Sequence, residues 1–131
     1  MPEDPGYSGL RERAYPAEYR TEKIPVELER LDDVLPPDYR PDLIKVDVEG
    51  AELQVFRGGL ETLARARPVI VFEHGVGASD RYGTTPEAVH DLLAGEIGLH
   101  LFDLEATGPL SRDQFAELYA SGTRWNWIAL P

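Results

Sequence analysis

The sequence contains no cysteine. Without thiols it can build neither a disulfide frame nor a thiolate metal site, and nothing in it calls for an oxidising compartment. Positive charge is scarce too: 13 Lys and Arg stand against 24 Asp and Glu, for a net charge of −11 and a pI of about 4.6. Such a chain repels the backbone of nucleic acid and an anionic membrane surface, so neither is expected as a partner. No apolar run approaches the ~20 residues of a membrane span. The opening Met1-Pro-Glu-Asp-Pro-Gly6 lacks the basic region and apolar core of a signal peptide. A cytoplasmic location is therefore expected. What is present is an ordinary globular composition, 42% hydrophobic over 131 residues, which suits one domain.

The stretch that organises the chain is Pro41-Asp-Leu-Ile-Lys-Val-Asp-Val-Glu-Gly-Ala-Glu52. Residues 43–48 are apolar and branched apart from Lys45 and Asp47, and they read as a strand buried on both faces of a parallel sheet. From Gly50 the period changes. Leu53, Phe56, Leu60 and Leu63 fall on one helical stripe, predicting a helix over about 50–66. Asp47, Glu49 and Glu52 thus sit where a strand runs into a helix. Ligands of open α/β sheets bind beyond the carboxyl ends of strands. The plainer reading of Glu49 and Glu52 is that they complement the positive end of the helix dipole. Asp47 is harder to explain that way, because it interrupts an apolar strand.

Residues 1–22 carry Pro2, Pro5, Gly6, Gly9 and Pro16 and read as loop or tail, with Tyr7, Tyr15 and Tyr19 among the charges. The domain proper is expected over 23–131. Ile24, Val26 and Leu28 alternate with Pro25, Glu27 and Glu29, predicting an edge strand. Leu31-Asp-Asp-Val-Leu35 reads as a short turn or helix. The helix pattern over 50–66 contains Gly58-Gly59, which a kink or a close approach to the sheet would justify. Pro68–Glu73 is a second strand ending in an acid, with His74 next to it. A right-handed crossover puts Glu73 and His74 on the same rim as Asp47 and Glu49. Residues 75–84 read as a mobile loop, and Thr85-Pro86 as the start of a helix. Leu99–Leu104 is a third strand. Ser111-x-x-Gln114 is a capping box before a short helix, and Asn126–Leu130 is a last strand.

Asp47, Glu49, Glu73 and His74 form a plausible cluster of oxygen and nitrogen donors. His74 or a carboxylate could take a proton from a hydroxyl, or the acids could hold Mg²⁺. Asp47-Val-Glu-Gly50 also echoes the D-x-D-G motif of haloacid-dehalogenase-like phosphatases, although the second acid is Glu and no Thr follows Gly50. His90 and His100 show no ligand spacing and read as surface or packed residues.

Residues 42–58, with Leu31-Asp32-Asp33 upstream and Pro68–Glu73 downstream, resemble the FkbM family of S-adenosylmethionine-dependent methyltransferases. The family signature runs D-L-I-K-[IV]-D-V-E-G-x-E-x-x-[VL]-x-x-G, and residues 42–58 match it almost throughout. The resemblance implies an α/β fold of class I (Rossmann-like) type, with strand order 3-2-1-4-5-7-6. Here 43–48, 68–73, 99–104 and the antiparallel 126–130 would be strands four to seven. The family's earlier half, with its glycine-rich loop, has no counterpart before residue 24, so the chain is expected to be the C-terminal half of such a sheet, mostly parallel with an antiparallel last strand.

The resemblance further implies methyl transfer from S-adenosylmethionine to a hydroxyl of a small-molecule acceptor, typically a sugar or natural product. Asp47 and His74 are then the candidate catalytic residues, Asp47 and Glu49 the cofactor contacts, and Glu73 and Glu52 the acceptor contacts, with no metal ligand assigned. Two other readings remain: a degenerate half-domain serving as an interaction module, and the magnesium-dependent phosphatase. In the full sheet strand 43–48 is central. Its exposed edge is expected to be covered here by the strand at 24–28 or by a second copy of the chain in a homodimer.

Overall fold

The computed structural model describes Leu10, Arg11 and residues 22–131. Tyr7, Tyr15 and Tyr19 lie outside those residues. The fold is α/β, with one four-stranded mixed sheet in the order β1-β2-β4-β3. Its strands are β1 (Leu43–Val46), β2 (Val69–Glu73), β3 (His100–Asp103) and β4 (Asn126–Leu130). β1 and β2 pair in parallel from Leu43 against Val69 to Val46 against Phe72. β4 runs antiparallel to both β2 and β3. The first three strands therefore share one direction and the last is the antiparallel one, as expected. Among the described residues the longer helices are α2 (Glu52–Gly58), α3 (Leu60–Ala66), α4 (Pro86–His90, continued by a π-wound turn, Asp91–Glu96) and α5 (Arg112–Ala120). A one-turn helix, α1 (Leu31–Val34), precedes β1.

The core joins the apolar faces that the periodicity marked. Phe56 and Leu63 meet Ile70, Phe72, Leu101, Phe115 and Trp127, all essentially without exposure. Phe56 packs edge-on against Phe72 at 5.4 Å between ring centroids, and Phe115 against Trp127 at 4.6 Å, distances typical of favourable aromatic pairs. The start of α4 is capped by Thr85 Oγ1, which accepts from Ala88 N–H at 3.2 Å with Pro86 at the first helical position. At α5 the capping box forms in both directions, Gln114 N–H to Ser111 Oγ and Ser111 N–H to Gln114 Oε1.

Three expectations are corrected. The helix expected over 50–66 is two helices broken at Gly59. A Cβ on Gly59 would lie 3.0 Å from Leu31 Cδ1, so the glycine pair serves the approach of α1 rather than of the sheet. The broken helix needs a second N-terminal cap, and Asp32 supplies it from α1. Its carboxylate accepts from the N–H groups of Glu61 and Thr62, each at 3.0 Å, two of the donors that the first turn of α3 leaves without an intrahelical partner. This gives the Leu-Asp-Asp segment a physical task.

The strand expected at 24–28 does not form; Ile24, Val26 and Leu28 stand 70, 58 and 73% exposed in irregular backbone. Proline at position 25 removes a ladder donor. The fold-back cover for the edge of β1 is accordingly lost. β1 is also not buried on both faces. Among the described residues it pairs only with β2, and Leu43 is 62% exposed, because successive side chains point to opposite faces and only the Ile44 and Val46 face reaches the core.

Candidate active site

β1 and β2 are parallel neighbours, so their carboxyl ends open on one rim. β1 stops at Val46, and the chain then turns through Asp47-Val-Glu-Gly50 into α2. The turn is tight. Glu49 has φ +57° and Gly50 φ +107°, both in the left-handed region that costs a side chain and suits glycine. Gly50 must also be glycine for space, since a Cβ there would lie 2.4 Å from the Ala78 carbonyl oxygen. Asp47 is exposed and accepts from Lys45 Nζ at 2.6 Å. Glu49 and Glu73 are half-buried.

The acids sense one another. Burial first, and then the negative charges of Asp47 and Glu49, push the Glu73 carboxyl above its ordinary value. Like charges close enough to do this make the rim a local region of negative potential. A small cleft below is lined by Glu49, Gly50, Glu73, Gly75, Ala78 and Trp125, with Glu52 and His74 at its floor.

Glu52 and His74 are each only 1% exposed. Glu52 Oε1 accepts from Gly50 N–H at 2.8 Å, and Oε2 lies 3.4 Å from His74 Nδ1. The His74 ring lies against Tyr119 at 4.9 Å and is roughly parallel to Phe115 at 6.2 Å. Its backbone is fixed on both sides: N–H donates to the Trp125 carbonyl at 2.7 Å, and the carbonyl accepts from Trp127 Nε1–H at 2.8 Å. His74 as base and Glu52 as acceptor contact therefore meet an enclosed pair rather than two free side chains. Asp47, Glu49 and Glu73 are the acids that the structure brings together at the open rim.

The loop over the rim, read as mobile, is tied down. Ser79 Oγ donates to the Gly75 carbonyl at 2.9 Å and lies 2.8 Å from Tyr119 Oη, which donates to Asp80 Oδ1 at 2.7 Å. Asp80 Oδ2 accepts from Gly77 N–H at 2.8 Å. Tyr119 and the Gly77 amide hold the Asp80 carboxyl below its ordinary range. Burial above all pushes the Tyr119 hydroxyl up to about 12, so it stays a donor. Arg11 donates to the Arg81 carbonyl and lies 4.8 Å over the Tyr82 ring.

The sequence reading missed Trp125, 41% exposed beside the cleft, and the role of Tyr119. The signal for Trp125 was a glycine 50 positions away. A Cβ on Gly75 would lie 2.5 Å from that ring. His90 Nε2 lies 3.2 Å from the Leu110 carbonyl and His100 is exposed, in line with packed and surface roles. Among the described residues, no three of His, Asp and Glu are placed to hold a metal ion together.

The family described as "Methyltransferase FkbM domain" matches residues 3–101. The chain belongs to that family. The match takes in the whole turn from β1 into α2 and both acid-tipped strands. Methyltransferase sdnD of Sordaria araneosa is 54% identical over 46 residues, a stretch covering 28% of this chain and 18% of that protein. The aligned part of the chain thus spans less than a fifth of that relative's length. No solved structure matches the chain. Among the described residues no helix is long and apolar enough to cross a membrane.

Proposed function

We infer that this FkbM methyltransferase chain acts in O-methylation, with S-adenosylmethionine as methyl donor and a hydroxyl of a sugar or natural product as acceptor. The observation that carries the reading is the convergence of Asp47, Glu49 and Glu73 at the carboxyl ends of two adjacent parallel strands, where burial first and then the charges of Asp47 and Glu49 raise the Glu73 carboxyl. The strand order β1-β2-β4-β3, with its antiparallel last strand, supports reading the sheet as strands four, five, seven and six of a class I methyltransferase. A cytoplasmic site of action goes with the cysteine-free sequence.

The cleft tests whether the cofactor fits. Its free space is about 10 Å³, about one water, against the ~300–1,000 Å³ usual for small-molecule sites. The described residues do not by themselves enclose S-adenosylmethionine. When bound, the cofactor supplies an electrophilic methyl group, and the protein's task is mainly to align the acceptor. Asp47, exposed at the strand end, is the base we assign to the hydroxyl proton. Glu49 and Glu73 offer acceptor oxygens to hydroxyls and favour cationic ligands. Lys45, bonded to Asp47, offsets part of the rim's charge.

Titration calorimetry of the purified chain with S-adenosylmethionine, with and without Mg²⁺, tests this reading. Micromolar binding followed by methyl transfer in a screen of hydroxylated acceptors supports it. Absence of binding at millimolar cofactor overturns it for this chain and favours a non-catalytic module.

A further inference from the structure

The pair Glu52–His74 is expensive to maintain. An acid and an imidazole with 1% exposure each have given up their hydration, and such a pair is often no more stabilising than apolar residues of the same volume. His74 Nε2 is buried with no hydrogen-bond partner among the described residues, an additional cost. Stability alone therefore does not account for the pair. Its bonds show what it does. Glu52 reaches back two residues to the Gly50 N–H, inside the turn whose Glu49 and Gly50 both have positive φ. Its other oxygen meets the residue that follows Glu73, which is itself pinned by Trp125 and Trp127.

We propose that Glu52 and His74 are positioning residues for the rim: the pair touches no ligand, and instead fixes the Glu49–Gly50 turn relative to the Glu73 strand end. The inference rests on the rim being the reacting site. Methyl transfer depends on alignment, where a displacement of about 1 Å costs on the order of 100-fold in rate. A turn held in an unfavourable backbone region persists only where its surroundings over-determine it. Glu52 is the side chain that accepts from its central amide.

The experiment uses the full chain and three variants: Glu52→Gln, Glu52→Leu and the double variant Glu52→Leu with His74→Phe. Two quantities are read on each, the amide exchange rate of Gly50 by NMR and the urea midpoint of global unfolding. Glu52→Gln keeps an oxygen for the Gly50 amide, so its exchange stays within about threefold of the parent. The double variant removes both buried polar groups together, so its urea midpoint stays close to the parent, while Gly50 exchange rises at least about tenfold. Glu52→Leu gives the same rise in exchange, with a lower midpoint from the stranded His74.

Gly50 exchange that tracks the global midpoint in all three variants would overturn the proposal, because the pair would then be structural support only. So would a Glu52→Gln variant as fast as Glu52→Leu. Neither readout needs methyl transfer. Failure of the transferase reading appears instead as an unmodified chain that binds no S-adenosylmethionine.

Discussion

Replacing Asp32 by Ala isolates the contact that lets a broken helix start twice. The side chain is 6% exposed and accepts from two amides in the first turn of α3. Losing a side-chain cap costs about 1 kcal/mol. Here one stranded donor belongs to Thr62, itself 3% exposed, and a buried unsatisfied N–H costs about 1–3 kcal/mol. The two costs overlap, so a total of about 2–3 kcal/mol is expected. For a domain of this size that lowers Tm by about 6–15 °C. Asp32→Asn keeps one acceptor oxygen and loses about half as much. Asp33→Ala, one position along on exposed backbone, changes stability by less than about 0.5 kcal/mol.

The pH dependence of the same contact adds a second check. Burial pushes the Asp32 carboxyl up, but the Thr62 and Glu61 amides outweigh it and hold the group below its ordinary 3.8. A depressed acid contributes stability that is present above the unfolded value and lost as pH falls through the folded one. The gap between parent and Asp32→Ala in urea unfolding is therefore flat near neutral pH and closes only below about pH 4. An Asp32→Ala loss no larger than that of Asp33→Ala, or a gap that closes near neutral pH, refutes the cap.

Other substitutions probe the rim and its floor. Gly50→Ala combines φ +107° with a Cβ 2.4 Å from the Ala78 carbonyl; it lowers stability by about 2–4 kcal/mol, and a urea midpoint near the parent's refutes that strain. Glu73→Gln acts in the opposite direction. Because burial and then Asp47 and Glu49 raise the Glu73 carboxyl above its ordinary 4.5, folding is penalised as pH rises through the folded value and not below the unfolded one. The variant is thus more stable than the parent at neutral pH, with the advantage fading below about pH 4.5 in paired urea titrations. Trp127→Phe keeps a buried ring but deprives the His74 carbonyl of its indole donor, for a loss of about 1–3 kcal/mol in thermal unfolding.

Much of this architecture was legible because the relevant signals are local. Short apolar runs marked β2, β3 and β4 to within a residue or two, and Thr85-Pro86 and Ser111-x-x-Gln114 announced two helix starts by chemistry that the chain carries within four residues. What failed was non-local. Gly58-Gly59 was readable as a kink in one helix but not as a break with its own cap, because the side chain that makes the break workable, Asp32, lies about 30 positions upstream. The alternation of Ile24, Val26 and Leu28 satisfied the strand pattern, yet pattern describes only which face would be buried and cannot supply a partner strand. β1 shows the same limit in reverse. Its apolar run suits a centre, but burial depends on neighbours, and on one side the described residues provide none.

The site divides along the same line. That acids would gather at the ends of β1 and β2 followed from two strand tips and one crossover, all readable from spacing. Which acids stay open at the rim did not follow, because Glu49 and Glu52 differ by three positions around a tight turn and helix start. Gly50, at φ +107° and with no room for a Cβ beside the Ala78 carbonyl, turns the chain between them, leaving Glu49 at the rim and Glu52 beneath it. The residue that separates a rim carboxylate from a buried supporting one is thus the glycine, whose missing side chain leaves room for a loop 28 positions downstream.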